Sequence, residues 1–340
     1  MPRQVGRATW IPSLDDTSEG FGECLSMTAT NISASPRPPA AREEQADPAT
    51  LRGRGRGGAL ARRLVDPLGA LLVVVVLAGL WEGYKALGRA VDDRILGIGL
   101  PVATDDLSMP HLWTIFGSLT APARAGDPTS LAVYLIGETT VTLREALYGL
   151  TAGSLLGLAL AVLFLHLAPV SRGLMPWLVA SQTVPLVAIA PMIVIWGGKA
   201  GLQPWVAVTG IAAYLAFFPV TINSLRGLKS PPKVQLEFMR SVGAGRARVL
   251  WSLRFPAALP YVFAGLRLAA TASVVGAIVG ELSAGTGRGI GRAILTSAYY
   301  YSNGPEKLYA AVLVAAIAGI LFVQVLSLLE RFALRNRHAR

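Results

Sequence analysis

The chain alternates between long apolar blocks and shorter polar stretches, and six of the blocks are long enough to cross a membrane. They cover approximately residues 67–87, 143–165, 174–196, 205–225, 257–282 and 308–330. A helix of roughly 20 apolar residues spans the hydrocarbon core of a bilayer. The pattern therefore predicts an all-α, polytopic transmembrane bundle of about six helices. The Gly and Ala within the blocks predict close packing between those helices.

Composition and the placement of charge support a membrane protein. Of the 340 residues, 53% are hydrophobic and 15% are charged, whereas an average soluble domain has about 25% charged residues. The net charge of +11 would suit nucleic-acid binding, but Lys and Arg are concentrated in the N-terminal stretch, after the fourth block and after the sixth. By the positive-inside rule, we expect both termini in the cytoplasm, a lipid bilayer around the blocks and no nucleic-acid partner.

Three regions follow from this pattern. Residues 1–63 are rich in Pro, Ser, Thr, Arg and Ala, and we expect a disordered, basic cytoplasmic tail without the apolar segment of a signal peptide. An overlong gene start is the alternative, because Met27 is a second possible first residue. The membrane domain is expected over residues 64–334, followed by a short tail, residues 335–340.

The connector between the fourth and fifth blocks, residues 229–256, carries helical signals of its own. A helix can begin at Pro232, and apolar residues then recur at helical spacing. Gly243 interrupts this pattern, and a second helical run ends at Pro256. We predict two short helices joined by a tight glycine corner, exposed on the cytoplasmic surface.

In this connector, Glu237, Gly243 and Pro256 stand six and thirteen residues apart. The spacing resembles the EAA motif (E-A-A-x3-G-x9-I-x-L-P) of permease subunits of bacterial ABC importers. Phe238 and Met239 replace the two alanines of that motif. Other stretches resemble the nitrate, sulfonate and taurine group of these permeases, so that the resemblance covers approximately residues 64–334. They are Gln182-Thr183-Val184-Pro185, Phe218-Pro219 and Gly265-Leu266-Arg267.

The resemblance implies a type I ABC importer permease fold in the bacterial cytoplasmic (inner) membrane. Two permease subunits, expected as a homodimer, would form the pathway, with cytoplasmic ABC ATPase subunits docked on the connectors and an extracytoplasmic substrate-binding protein delivering substrate. The residues implied in coupling to the ATPase are Glu237, Arg240, Ser241, Gly243, Ala244 and Pro256. The implied substrate is a small anion, such as nitrate, taurine or another sulfonate, or a vitamin precursor.

The chain has no phosphate-binding loop of its own. Residues 227–230 contain a glycine, a lysine and a serine, but Leu228 separates the first two, and Ile222 stands five residues before Gly227, where the motif has its first glycine. The glycine-rich stretch 285–291 lacks dinucleotide-binding spacing and is expected to be a loop or re-entrant turn. The single cysteine and three separated histidines exclude a disulfide framework and a Cys/His metal cluster. We therefore expect no cofactor, no metal and no catalytic residue, with ATP hydrolysed by separate subunits.

Polar residues inside the blocks are candidates for the translocation pathway, because such groups usually face the interior of a bundle. We hypothesise that Gln182, Thr183, Asn223 and Glu281 line it, and interhelical hydrogen bonding is the alternative.

Other ionisable residues are expected to have simpler roles. Glu82, Arg144 and Glu145 lie near block ends, where side chains can reach the headgroup region. Arg267 and Glu281 lie about 21 Å apart along one helix, too far to pair.

Two other classes of protein fit the composition. An ion-gradient-driven secondary transporter would lack the coupling connector and would usually show an internal repeat. A membrane enzyme would need a catalytic cluster, and neither H-E-x-x-H nor G-x-S-x-G occurs in the chain.

Overall fold

The computed structural model describes residues 57–91, 94–95, 98–124, 126, 128–284 and 287–335. Most of the expected N-terminal tail and residues 336–340 lie outside the described residues. Residues 57–68 contribute only the first turns of helix α1, and every contact given below belongs to the unit that begins at Gly69.

Almost all described residues are helical, which confirms the all-α prediction. The elements are α1 (Gly57–Ala90), β1 (Arg94–Ile95), β2 (Ile98–Gly99), α2 (Leu112–Ser118), α3 (Leu131–His166), α4 (Ala168–Ser181), α5 (Leu186–Lys199), α6 (Pro204–Leu228), α7 (Lys233–Ser241), α8 (Arg246–Val249), α9 (Phe255–Ala284), α10 (Ile290–Tyr299) and α11 (Pro305–Arg335). A π-helical turn, Leu250–Arg254, connects α8 to α9, and a 3₁₀ turn, Tyr301–Asn303, follows α10. β1 and β2 pair antiparallel.

Within the described residues, five apolar stretches are long enough to cross a membrane, and the bent pair α4 and α5 makes a sixth if it counts as one span. The five are Leu71–Ala90, Leu131–His166, Pro204–Leu228, Arg246–Ser283 and Pro305–Phe332. The predicted number of about six is confirmed.

The third predicted helix is wrong as a continuous span. Instead, α4 and α5 meet at an angle of 99°, with the chain turning across residues 182–185. Pro185 causes this break, because it lacks a backbone N–H and disfavours helical backbone at the residue before it.

The predicted end of the second connector helix at Pro256 is also wrong. Helix α8 continues through the π-helical turn into α9, so Pro256 is the second residue of a long helix. Pro256 has no N–H to donate to a carbonyl in the preceding turn. The π-helical turn, a local widening of the helix, occupies that preceding turn.

The other boundary differences are at helix beginnings. Helix α3 begins at Leu131, twelve residues before the second apolar block, because its first turns carry polar residues that the fold buries. Helix α1 begins at Gly57, within the stretch assigned to the tail.

The centre of the bundle is a close crossing of α3, α6 and α9. A Cβ atom at Gly153 of α3 would lie 2.5 Å from the carbonyl oxygen of Ala213, and one at Gly157 would lie 2.6 Å from that of Phe217. On the other side of α6, a Cβ at Gly276 of α9 would lie 2.8 Å from the Cα of Ala212. The small residues therefore pack helix against helix as predicted.

Candidate coupling element and translocation pathway

Helix α7 begins after a proline pair, as the sequence predicts. Pro232 occupies the N-cap position with extended backbone, φ −63° and ψ 152°. Its carbonyl accepts a hydrogen bond from the backbone N–H of Gln235 at 3.1 Å. Proline is tolerated there because the first N–H groups of a helix have no partner within the helix.

Helix α7 ends in a Schellman motif centred on Gly243. The N–H of Gly243 donates to the carbonyl of Arg240 at 2.9 Å, and that of Ala244 donates to the carbonyl of Met239, also at 2.9 Å. The motif needs a residue in the left-handed region, and Gly243 has φ +69°. The predicted glycine corner is therefore confirmed, and it sets the direction in which the chain enters α8.

The outward face of α7 is apolar and exposed. Val234, Phe238 and Val242 recur at helical spacing, and the side chain of Phe238 is 65% exposed. Glu237 lies beside this stripe and is also exposed. Neither α7 nor α8 has a buried residue. A rigid helix with an exposed apolar stripe has the character of a protein docking surface.

The remaining residues assigned to coupling have different positions. The hydroxyl of Ser241 donates to the carbonyl of Phe238 within α7 at 2.8 Å. Arg240 and Ala244 line a cavity behind α7, and the side chain of Arg240 is also exposed to solvent. Pro256 is partly buried in the first turn of α9. The structure thus brings the six residues into one segment, in which Glu237 lies beside the apolar stripe and Arg240 lies at the cavity.

Two contacts connect this segment to the bundle. Nη1 of Arg254, in the π-helical turn, donates to the carbonyl of Leu228 at the end of α6, at 2.8 Å. Immediately before that residue, a Cβ at Gly227 would lie 2.9 Å from the Cα of Ala258. The end of α6 and the start of α9, which flank the connector, are therefore held against each other.

The break between α4 and α5 contains two of the four pathway candidates. Gln182 follows α4 and its side-chain amide lies 3.4 Å from the hydroxyl of Ser181. The hydroxyl of Thr183 donates to the carbonyl of Ala180 at 2.8 Å. A tyrosine that the sequence reasoning missed, Tyr214 of α6, donates its hydroxyl to the carbonyl of Ser181 at 2.6 Å. This bond ties the break to the central helices.

The third candidate, Asn223, is partly buried in α6. Its side-chain amide donates to the carbonyl of Pro219 at 2.8 Å, and its Cβ lies near Gly265 of α9. The partner of Arg267 in α9 is Glu330 of α11, with Nε and Oε2 3.0 Å apart.

Glu281, the fourth candidate, is fully buried and holds the start of α10. Its Oε2 accepts a hydrogen bond from the N–H of Gly291 at 2.7 Å. Glu138 of α3 accepts from the N–H of Gly289. The hydroxyl of Thr142 accepts from the N–H of Ile290 at 2.8 Å. The unpaired N–H groups at a helix N-terminus favour such acceptors.

Glu145 of α3 is a further buried carboxylate near Glu281. Its side chain is buried, so the expectation that it reaches the headgroup region is wrong. The reason is that α3 begins well before the apolar block, which places Glu145 inside the helix. Among the described residues, no group of three or more acidic, His or Cys side chains is arranged to hold a metal ion.

A second polar cluster connects α1 to the segment before α2, and the sequence reasoning missed it. The ammonium of Lys85 is fully buried, 2.6 Å from Asp106 and 2.5 Å from the carbonyl of Met109. Glu82 accepts from the N–H of Leu112 at 2.8 Å and contacts His111 at 2.7 Å. Glu82 therefore caps the beginning of α2.

Comparison with known proteins agrees with this architecture. The family model of the binding-protein-dependent transport system inner membrane component matches residues 153–336. A probable ABC transporter permease protein of Haemophilus influenzae is 32% identical over 274 residues, covering 79% of this chain and 97% of that protein.

Two further relatives have names that state a substrate. The formylaminopyrimidine transport permease protein of Halalkalibacterium halodurans is 36% identical over 188 residues, covering 55% of this chain and 72% of that protein. The taurine transport system permease protein of Escherichia coli is 31% identical over 215 residues, covering 63% and 73%. The chain belongs to the family of binding-protein-dependent transport system inner membrane components, and it is the permease subunit of an ABC importer.

Proposed function

We propose that α7, the Gly243 corner and α8 form the docking element for a separate ATPase subunit. The observation that carries this proposal is the exposed apolar stripe on α7, which includes Phe238, on a segment fastened to the bundle through Arg254 and Leu228. ATP hydrolysis then belongs to the partner, since this chain has no phosphate-binding loop. Closure of the ATPase pushes α7, and the contact between α6 and α9 carries the displacement into the spans.

The membrane orientation follows from the same proposal. Docking of a cytoplasmic ATPase requires that α7 and α8 face the cytoplasm, as the Lys and Arg of this connector also favour. Helix α10 then lies toward the opposite side of the membrane, where a substrate-binding protein delivers the cargo. With both termini cytoplasmic, α4 and α5 together count as one span.

The pathway is proposed to lie between two copies of this chain. Helices α4 and α5 present large exposed apolar side chains, including Trp177, Val187 and Trp196, while Ala190 is the one residue in the pair that is buried within the described chain. A second copy would cover this surface, and Gln182 and Thr183 at the break would face the enclosed space.

For the cargo, a heterocyclic vitamin precursor is the first candidate and a small sulfonate or other anion the second. The formylaminopyrimidine permease is 36% identical to this chain, and the taurine permease 31%. The polar groups at the break, Gln182, Thr183 and Tyr214, are uncharged. Arg267 is paired with Glu330. Uncharged donors and acceptors suit a neutral heterocycle better than an anion, which is usually bound by a cationic group.

Replacing Phe238 by Ala tests the docking proposal. Phe332 is a matched control, because it is also an exposed phenylalanine, 67% exposed against 65% for Phe238, but lies on α11. We expect Phe238→Ala to lose most of its co-purification with the ATPase, whereas Phe332→Ala retains it. Equal retention by both variants would exclude α7 as the docking surface.

Replacing Gln182 by Leu tests the pathway proposal. We expect uptake into proteoliposomes containing the ATPase and binding protein to fall while co-purification with the ATPase stays unchanged. Gln203→Leu is the control, because Gln203 precedes α6 and its side chain caps no backbone group. Competition of labelled formylaminopyrimidine uptake by taurine in the same vesicles separates the two cargo classes.

A further inference from the structure

A cavity of about 450 Å³ lies behind α7, between the end of α3 and the start of α8. Its lining includes the side chains of Arg240, Arg246, Arg254 and His166. Its volume lies within the range of about 300–1,000 Å³ that small-molecule sites occupy. The cavity is separate from the exposed stripe on the opposite face of α7, and the docking proposal does not use it.

The charge of this cavity is unbalanced. None of its lining residues is acidic, and Arg240 and Arg254 are close enough for their charges to repel each other. Arg240 and Arg246 make no ion pair with any residue that the structure describes. Like charges gathered without a counter-charge raise the affinity of a site for anions.

The form of the lining favours a phosphate group. Guanidinium groups bind phosphate oxygens through pairs of parallel hydrogen bonds. Arg254 already donates one N–H to Leu228, which fixes the position of its guanidinium, and a guanidinium has five N–H donors in all. Two further arginines reach the same space from α7 and α8.

The rest of the lining is apolar and favours a lipid over a free phosphate ion. Leu165, Leu236, Val249 and Leu250 complete the wall, and Trp251 in the following π-helical turn is 66% exposed. Tryptophan is common at the boundary between the headgroups and the hydrocarbon core. A ligand with a charged head and an apolar body fits both halves of the cavity.

We propose that this cavity binds the phosphate of an anionic phospholipid of the cytoplasmic leaflet. The phosphate lies among Arg240, Arg246 and Arg254, and the glycerol and upper acyl chain lie against the leucines. The assignment to the cytoplasmic leaflet rests on the orientation in the proposed function. Occupied in this way, the cavity neutralises the arginines behind α7 and fixes the angle at which α7 leaves the bundle.

Binding of phosphatidylglycerol and phosphatidylcholine with identical acyl chains to the full chain in detergent tests this proposal, measured by native mass spectrometry. The variant is Arg240→Gln with Arg246→Gln. The control is Lys233→Gln with Arg248→Gln, which removes the same charge from α7 and α8 at exposed positions outside the cavity. We expect preferential binding of phosphatidylglycerol, about tenfold weaker in the cavity variant because charge-assisted hydrogen bonds are lost, and nearly unchanged in the control.

Two other outcomes would overturn the proposal. Equal losses in both variants would show attraction to diffuse surface charge rather than a site. Displacement of phosphatidylglycerol by millimolar inorganic phosphate, without lipid selectivity, would make a free phosphate ion the ligand. The measurement contains no ATPase, so selective lipid binding together with failed ATPase docking would disprove the docking proposal and leave the lipid site standing.

Discussion

The two ends of the bundle differ in how deeply their side chains are buried and in the contacts that hold their helices. The α10 end, formed by α2, α10 and the beginnings of α3 and α11, has its own apolar core, which includes Ile115, Leu135 and Ile290. Buried carboxylates of Glu138 and Glu281 bind the N–H groups at the start of α10.

The α7 end, formed by α7 and α8, has no buried residue, and the backbone cap at Gly243 sets the direction of the chain between its two helices. Burial makes the α10 end a fixed support, while the exposed α7 end is the surface that we propose for the ATPase. Changes at the α10 end should therefore reduce stability first, and changes at the α7 end should reduce coupling first.

The largest effect is expected for Gly289→Ala at the α10 end. Gly289 has φ +103°, and a Cβ there would overlap the carboxylate of Glu281. Left-handed strain costs about 1–2 kcal/mol, and moving the carboxylate aside would also break its hydrogen bond to the N–H of Gly291, which costs about 1–3 kcal/mol more. The melting temperature of the purified chain, followed by tryptophan fluorescence, should fall sharply. Gly287→Ala is the control, because Gly287 has φ +71° but open space around the added Cβ, and equal melting of the two variants would contradict this account.

A smaller loss of stability is expected for Glu281→Leu. Leucine removes the acceptor for the N–H of Gly291, and an unpaired buried donor costs about 1–3 kcal/mol. Glu281→Gln keeps an acceptor oxygen at the same position, so it should melt at a higher temperature than Glu281→Leu. If the leucine variant melts at or above the glutamine variant, the carboxylate does not hold α10.

At the α7 end, Gly243→Ala should impair coupling without lowering the melting temperature of the bundle. A Cβ at Gly243 meets no neighbour, so the only penalty is about 1–2 kcal/mol of left-handed strain in the cap. Asparagine tolerates this backbone region, so Gly243→Asn should retain more ATPase stimulation than Gly243→Ala. The idea fails if alanine and asparagine stimulate the ATPase equally well.

The smallest effect is expected from pH. The hydrogen bond from Lys85 holds the pKa of Asp106 below its ordinary value of 3.8, although partial desolvation opposes this. A lowered acid pKa stabilises the fold above that ordinary value, and this contribution disappears as the pH falls below it. The melting temperature should therefore drop slightly below pH 3.8 in the original chain and stay flatter in Asp106→Asn. Identical pH profiles for the two would exclude the ion pair as a contributor.

Much of the bundle could be predicted from the order of residues because membrane spans leave a strong local signal. A helix in lipid must form its backbone hydrogen bonds internally and expose apolar side chains. Each long apolar block therefore predicts a span. The Gly243 corner could be predicted equally well, because a helix that ends with a residue in the left-handed region favours glycine there in any surroundings. The broken third span was missed even though Pro185 is visible in the sequence, because one proline permits a kink as well as a full turn of 99°.

The polar residues were predicted less well. The burial of Glu145, the contact of Glu82 with α2 and the pair of Lys85 with Asp106 were not predicted, because hydropathy averages hide single charges in long helices. The partners lie well outside the local sequence: Asp106 is 21 residues from Lys85, and Leu112 is 30 residues from Glu82. No local pattern specifies such pairs.

The sequence by itself determined the class of the protein, the number of spans and the position of the connector with its glycine corner. These features depend on neighbours within a few turns, where helical period and backbone freedom act alone. Only the tertiary structure decided which side chains meet, including the carboxylates at α10, the arginines behind α7 and the contact of Arg254 with Leu228. Those pairings join residues of different elements, which meet only when the helices pack together. Their energies depend on the burial that this packing creates.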